Sequence, residues 1–365
     1  MKEYIPKDLQ PVFDKVINGT RISQEDGLLL YNTLNPGLTG YLADIVRRRK
    51  NGERAYFNRN FHIEPTNICV FNCKFCSYRK NAGSPDAWNH SAEEILDIVR
   101  SFDDKPVTEV HIVGGVHPKH DIDYYCSILK MISDHRSGLH IKAFSAIELD
   151  YIINKSGLSI RQGLLKLKDC GLGSIPGGGA EIFDEAIRAV ICNDKSSSDR
   201  WLEIHREAHK AGIPSNATIL YGHMETYEHR IDHMERLRKL QDETGGFNSF
   251  IPLKFKKENN EMHEYGEVSI IEDMKNYAVS RIYLDNFPHI KAYWPALGRE
   301  STQLALSFGV DDVDGTIDDT TKIYSMAGAE DKNPAMTTDD ICELIRGAGF
   351  KPVERDTLYN VIKEW

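Results

Sequence analysis

The chain has 365 residues, 41% hydrophobic and 27% charged, with a formal net charge of -10, as in a soluble globular protein with room for a large core. A mean hydropathy of -0.44 and no apolar run of bilayer length argue against a membrane protein. The acidic surplus, with Lys and Arg only in short clusters such as Arg47-Arg48-Arg49-Lys50, argues against a nucleic-acid partner, which needs a broad basic surface.

In chain order, Met1 to Lys15 mixes charged and polar residues with Pro6 and Pro11. It lacks the basic-then-apolar order of a secretory signal, so a cytoplasmic location is expected. Ser23-x-x-Asp26 is a capping box with Asp in place of Glu or Gln, and it opens a helix on the apolar run Gly27 to Tyr31. Leu38 to Arg49 is a second helix, so residues 1–58 read as an N-terminal helical extension.

From Phe61 the pattern changes to short apolar strands alternating with amphipathic helices. The predicted strands are Phe61–Glu64, Glu109–Val113, Ile141–Ser145, Ser174–Pro176, Ser215–Tyr221, Ser249–Lys254, Ile290–Trp294 and Val313–Ile317. The predicted helices are Ala92–Phe102, Tyr124–His135, Arg161–Cys170, Ser198–Ala211, Tyr227–Glu243, Ile270–Tyr283, Ser301–Phe308 and Thr338–Ala348. Gly171, Gly212, Gly245 and Gly349 stand where helices should end. Strands separated by helices pair in parallel with right-handed crossovers. Eight such units make residues 59–365 an α/β (β/α)8 TIM-type barrel, with an open doubly wound sheet as the second choice. In either fold the strand C-terminal ends carry the active face.

Seven cysteines, three of them within eight residues, make a poor disulfide framework and suit a reducing compartment. Cys69-Val-Phe-Asn-Cys73-Lys-Phe-Cys76 follows the first predicted strand with C-x3-C-x2-C spacing. Three thiolates on one tight loop can converge on an inorganic centre. They are one short of a closed zinc site, unless His62 or His90 supplied the fourth ligand. A 4Fe-4S cube on three thiolates instead keeps one iron open to a small molecule. Gly114-Gly115 closes the second strand and lets a ligand approach the backbone. Ser145 and Glu148 end the third strand, where Glu148 can accept from ribose hydroxyls. Arg188 can pair with a carboxylate through two N–H donors. Gly177-Gly178-Gly179 lacks the Lys of a P-loop and the spacing of a dinucleotide fingerprint.

The cysteine loop, with aromatic Phe75 before its last cysteine, resembles that of the radical S-adenosylmethionine superfamily. The resemblance implies that Cys69, Cys73 and Cys76 hold a 4Fe-4S cluster. Its open iron would chelate the amino and carboxylate groups of S-adenosyl-L-methionine, which is cleaved to methionine and a 5′-deoxyadenosyl radical. It further implies that Gly114 and Gly115 hold the methionine amine and that Tyr78 touches the adenine. Val116 stands where the superfamily usually has an acidic residue, so backbone carbonyls would have to serve the amine.

His62-Ile-Glu-Pro-Thr-Asn67, Gly114-Gly-Val-His-Pro118, Ser174-Ile-Pro-Gly-Gly-Gly-Ala-Glu181 and Tyr221-Gly-His-Met-Glu-Thr226 resemble the menaquinone futalosine-pathway and deazaflavin-synthase group. In the C-terminal third, His289-Ile-Lys-Ala-Tyr-Trp294, Phe308-Gly-Val-Asp-Asp-Val-Asp-Gly315, Met326-Ala-Gly-Ala329 and Glu354-Arg-Asp-Thr-Leu-Tyr359 are similar to the aminofutalosine synthases. The implied substrate is an aryl enolpyruvyl ether, 3-[(1-carboxyvinyl)oxy]benzoate, and the implied electron donor a flavodoxin or ferredoxin. The alternatives are the sister dehypoxanthine futalosine cyclases and the deazaflavin (FO)-type synthases. From other classes, a non-catalytic iron-sulfur or zinc protein and a barrel hydrolase with incidental cysteines also stay open.

A substrate with two carboxylates and a ring asks for cations, donors and a flat apolar wall. His117 and His223 are the candidate proton donors, with Glu225 orienting His223. Asn216 and Thr218 alternate with apolar residues and should point into the barrel. Lys254 and Lys291 are candidate carboxylate partners, Tyr293 and Trp294 candidate ring contacts, and Asp314 a further polar candidate.

Overall fold

The computed structural model describes residues 5–317 and 322–365. An extended stretch interrupted at Arg59 forms β1 (Arg54–Asn58) and β2 (Asn60–Ile63). β2 pairs in parallel with β3 (Glu109–Ile112), and β3 with β4 (His140–Ala143). Parallel bridges Lys142–Ser174 and Ile175–Ser215 lead on to β5 (Ser215–Tyr221). β6 (Phe247–Lys254) and the two-residue β7 (His289–Ile290) follow in parallel. A bridge from Lys291 to Asp312 reaches β8 (Asp312–Gly315), which pairs with β1 and closes the ring. The expected TIM-type barrel is the observed one, and its fourth position is held only by the bridges at Ser174 and Ile175.

Most helices begin where a side chain satisfies the free N–H groups of the first turn. Ser91 with Glu94, Ser145 with Glu148, Ser159 with Gln162 and Thr337 with Asp340 are reciprocal capping boxes. Ser23 with Asp26 is one as well, so the shorter Asp suffices there. Helices Gln10–Ile17, Gln24–Asn32 and Pro36–Asn51 precede the barrel. Arg47, fully buried, runs from the last of them to the carbonyls of Val310, Gly52 and Arg54. That ties the helices to the N-terminal ends of β1 and β8.

Two expectations change. Arg54–Asn58, read with the helical extension, is a strand between β8 and β9 (Lys351–Arg355), and β10 (Val361–Glu364) adds to β9 antiparallel. The predicted strand Ile290–Trp294 stops early, because Pro295 starts a helical turn over Trp294–Leu297. Among the described residues, no helix is long and apolar enough to cross a membrane.

Ion pairs fill the base of the barrel. Asp311 pairs with Arg281 and His289, and Asp312 accepts from Arg355 Nε at 2.6 Å. Burial alone would raise Asp312, but Arg355 and Lys291 outweigh it and hold the carboxyl at about 2. A depressed carboxyl stabilises the fold above its unfolded value and loses that contribution as pH falls through the folded value. Asp312 thus contributes about 2–3 kcal/mol at neutral pH, lost between roughly pH 4 and 2. Chemical-denaturation midpoints should fall over that window, and the fall should be shallower in Asp312→Asn.

Candidate active site

A cavity of about 280 Å³ opens at the C-terminal ends of the strands. The loop after β2 forms one wall. Thr66 and Asn67 anchor it, Thr66 Oγ1 donating to the Trp88 carbonyl and Asn67 Nδ2 to that of Asp86. Ile68 bridges to Lys80. Beyond these anchors Cys69, Cys73 and Cys76 all line the cavity as free thiols, Cys73 buried and the others partly exposed.

The glycine pair lies directly beneath. Gly115 N–H donates to the Thr66 carbonyl at 2.7 Å, and a Cβ on Gly115 would stand 2.4 Å from the Ile68 carbonyl oxygen. On Gly114 it would meet the Thr66 oxygen at 2.8 Å. Side chains are excluded here by the cysteine loop's own backbone.

Three thiols on one cavity fit the three-ligand requirement of a 4Fe-4S cube. Burial pushes the Cys73 thiol up to about 12 and raises Cys76 as well, so deprotonation must be driven by a strongly cationic centre. Among the described residues, no three His, Cys, Asp or Glu side chains gather closely enough to hold a single metal ion. Neither His62 nor His90 turns the cysteines into a zinc tetrahedron.

Phe75, Tyr78, Ser145 and Glu148 line the same cavity. Tyr78 donates to the Thr66 carbonyl at 2.9 Å and meets Trp88 edge-on. Glu148 accepts from Ser145 N–H and Oγ, both at 2.7 Å, and from Gly114 N–H at 3.3 Å. Burial raises its carboxyl to about 7 against these bonds. Glu148 thus caps a helix and braces the glycine pair, and any ribose contact is additional to that.

Arg188, His117, His223 and Lys254 stand outside the cavity lining, as does Trp294. The buried Arg188 donates to the carbonyls of Ala180 and Ser196 at 2.7 and 2.6 Å, which fixes the glycine loop and leaves no fork for a carboxylate. A cation that does line the cavity near the glycine loop is Lys195, 2.6 Å from Glu181 and 5.1 Å from the Phe75 ring centroid. His117 stacks on His120 with centroids 4.1 Å apart and accepts from Lys119 N–H. His223 donates from Nε2 to the Leu220 carbonyl, over Glu225, which caps Gly222 and His223 and pairs with Arg230. Lys254 is held by Asp273 at 2.7 Å. In each case the side chain is engaged by backbone or by a buried partner.

Asn216, Thr218 and Asp314 do line the cavity. Asn216 accepts from Ser249 Oγ at 3.0 Å, and Thr218 donates to the Gly177 carbonyl at 2.6 Å. Lys291 pairs with Asp314 at 3.0 Å, and Tyr293 lies beside them. Trp294 turns away and donates to the Gly315 carbonyl.

Sequence reasoning missed the polar floor. His62, His111 and Lys142 line the cavity, and Glu109 sits 2.7 Å from Lys142. Burial alone would raise Glu109, but Lys142 and Lys291 hold its carboxyl well below the usual range. The available signal was the pair of polar residues at alternate positions of each strand (Asn60 and His62, Glu109 and His111, His140 and Lys142), where buried parallel strands otherwise read as apolar runs.

The sequence and the fold have known counterparts. The profile of the Radical SAM superfamily matches residues 63–237, and that of the CofH/MqnC C-terminal region matches residues 244–364. An aminodeoxyfutalosine synthase of Thermus thermophilus is 44% identical over 98% of this chain and 96% of its own length. That of Streptomyces coelicolor is 39% identical over 96% and 93%. A 5-amino-6-(D-ribitylamino)uracil–L-tyrosine 4-hydroxyphenyl transferase of Archaeoglobus fulgidus is 40% identical over 90% and 94%. Among solved structures, methylornithine synthase (PylB) superposes with a TM-score of 0.74 at 18% identity, over 93% of this chain and 96% of its own, which shows the shared fold. The chain belongs to the radical S-adenosylmethionine superfamily, whose enzymes use a 4Fe-4S cluster and S-adenosylmethionine, and within it to the group that includes the aminodeoxyfutalosine synthases.

Proposed function

We propose that the chain is an aminodeoxyfutalosine synthase of menaquinone biosynthesis, acting in the cytoplasm. It joins the 5′-deoxyadenosyl group of S-adenosylmethionine to 3-[(1-carboxyvinyl)oxy]benzoate. The products are 6-amino-6-deoxyfutalosine and methionine, and water carries off one carboxyl carbon as bicarbonate. The observation that carries this reading is the likeness to two such synthases along nearly the whole chain, C-terminal third included.

In this reading Cys69, Cys73 and Cys76 hold the cluster, which when bound supplies the electron that opens the sulfonium to a C5′ radical. The remaining work belongs to the chain. Gly114 and Gly115 offer backbone to the methionine amine, kept in place by Glu148. Phe75 and Tyr78 flank the adenine side. Lys142 and Lys291 line the cavity in ion pairs with Glu109 and Asp314, a polar wall beside which Tyr293 gives the substrate ring a flat neighbour. His117, His223 and Arg188 hold surrounding backbone, Lys254 is paired with Asp273, and all four act only through these contacts.

Cys73 and Cys76 also wall a second, outer groove whose charged lining is Lys74, Arg79, Lys80 and Lys257 against Glu258 and Glu261. An acidic carrier of the flavodoxin or ferredoxin type would dock there, separated from the inner cavity by the cysteine loop alone.

Anaerobically reconstituted, reduced enzyme should convert the enolpyruvyl benzoate and S-adenosylmethionine to the aminofutalosine adduct, read by mass spectrometry. Turnover of a diaminouracil with tyrosine, and none of the enolpyruvyl benzoate, would move the chain to the hydroxyphenyl transferases. Cyclisation of a dehypoxanthine futalosine would move it to the sister cyclases.

A further inference from the structure

Three neighbouring parallel strands place His62, His111 and Lys142 at matched register positions, so the three side chains form one row inside the barrel. The two imidazoles meet edge to face with centroids 4.5 Å apart, and the whole row lines the cavity. Lys291 and Asp314 continue it on the other side of His62. Charge in this row is already balanced. Lys142 is matched by Glu109, Lys291 by Asp314, and Arg355 beneath them by Asp312. His111 Nε2 is buried and has no hydrogen-bond partner among the described residues.

We propose that this row seats one carboxylate of the substrate and that His111 takes up a proton from solvent as the carboxylate enters. The inference rests on the synthase reading, which supplies a dianionic substrate. A carboxylate brought into a charge-balanced interior is an uncompensated buried anion, and such a charge must be matched or neutralised. Lys142 and Lys291 can turn toward it only by leaving Glu109 or Asp314 exposed to the same penalty. Imidazole is the remaining kind of side chain in the row able to become a cation near neutral pH, and His111, between His62 and Lys142, holds an open nitrogen.

Burial, with His62, Lys142 and Lys291 adding to it and Glu109 opposing, holds His111 well below its ordinary value in the ligand-free protein. It is therefore neutral before binding and can gain a proton. The imidazolium then donates from both nitrogens, and Nε2 acquires the partner it lacks. A neutral ligand in the same cavity would bring no proton with it.

The test is calorimetric. Oxidised holoenzyme with S-adenosylmethionine bound, which cannot turn over, is titrated near neutral pH with the saturated ether 3-(1-carboxyethoxy)benzoate. Two buffers of different ionisation enthalpy are used. The apparent enthalpy should differ between them by the amount expected for nearly one proton taken up per site. His111→Gln should abolish that difference and weaken the analogue about tenfold or more while leaving S-adenosylmethionine affinity unchanged. A buffer-independent enthalpy in the wild-type protein overturns the proposal, and this result needs no variant. Full uptake retained in His111→Gln overturns it equally. Failure of the analogue to bind holoenzyme that still binds S-adenosylmethionine overturns the synthase reading and this proposal together.

Discussion

Replacing Cys73 by alanine is expected to leave a folded barrel with no measurable turnover and no iron-sulfur absorbance after anaerobic reconstitution. The thiol is buried on the cavity wall, and its loss removes one sulfur from a small side chain, a cost of about 1 kcal/mol in packing. The chemical loss is total by comparison. Three thiols ligate three of the cube's four irons and leave one open, and no side chain can generate a carbon radical in the cluster's place. Cys342→Ala is the matched control, since Cys342 is equally buried on helix Thr338–Gly347 and stands outside the cavity lining. It should keep both cluster and turnover. Undiminished turnover in the Cys73 variant would return the cysteines to incidental status.

Gly115→Ala should be nearly as damaging, for a steric reason. The new methyl would stand 2.4 Å from the Ile68 carbonyl oxygen and 2.8 Å from its carbon, and backbone cannot step aside as a flexible side chain can. Overpacking of this kind costs about 1–3 kcal/mol, and relief would come by lifting the loop that carries Cys69. Thermal unfolding should report the lower stability and iron analysis the poorer cluster loading. Gly178→Ala, whose Cβ would meet nothing nearer than Ser145 Cβ at 3.6 Å, should unfold like the wild-type protein. Equal stability and iron content in the two variants would mean that the glycine pair does not set the loop's position.

The elements legible in the sequence were those whose signal is local. Ser215–Tyr221 is buried at every residue and Ile270–Tyr283 begins at a capping Ser269, and both form where expected. Arg54–Asn58 was unreadable because its Arg, aromatic and Asn residues make no apolar run; it becomes a strand by lying between β8 and β9. The same division runs through the site. Cysteines seven residues apart announce a metal centre without help from the fold.

His62, His111 and Lys142 are spread over 80 positions of chain and become one surface only when strand register aligns them. Arg188 and His223 misled for the opposite reason. His223 follows the end of β5 and Arg188 lies on helix Glu185–Ile191 beyond the glycine loop, yet backbone carbonyls claim both first. Lys195, which does reach the cavity, sits in a polar turn with no periodic pattern to mark it.

The central claim is that the radical formed beside Cys69, Cys73 and Cys76 is added to substrate and stays in the product. The direct measurement is the anaerobic reaction with S-adenosylmethionine carrying ¹³C at C5′, analysed by NMR. The account predicts that the labelled carbon appears bonded to a substrate carbon in the aminofutalosine product. Recovery of the label only as the methyl group of free 5′-deoxyadenosine would show hydrogen abstraction instead and contradict the assignment.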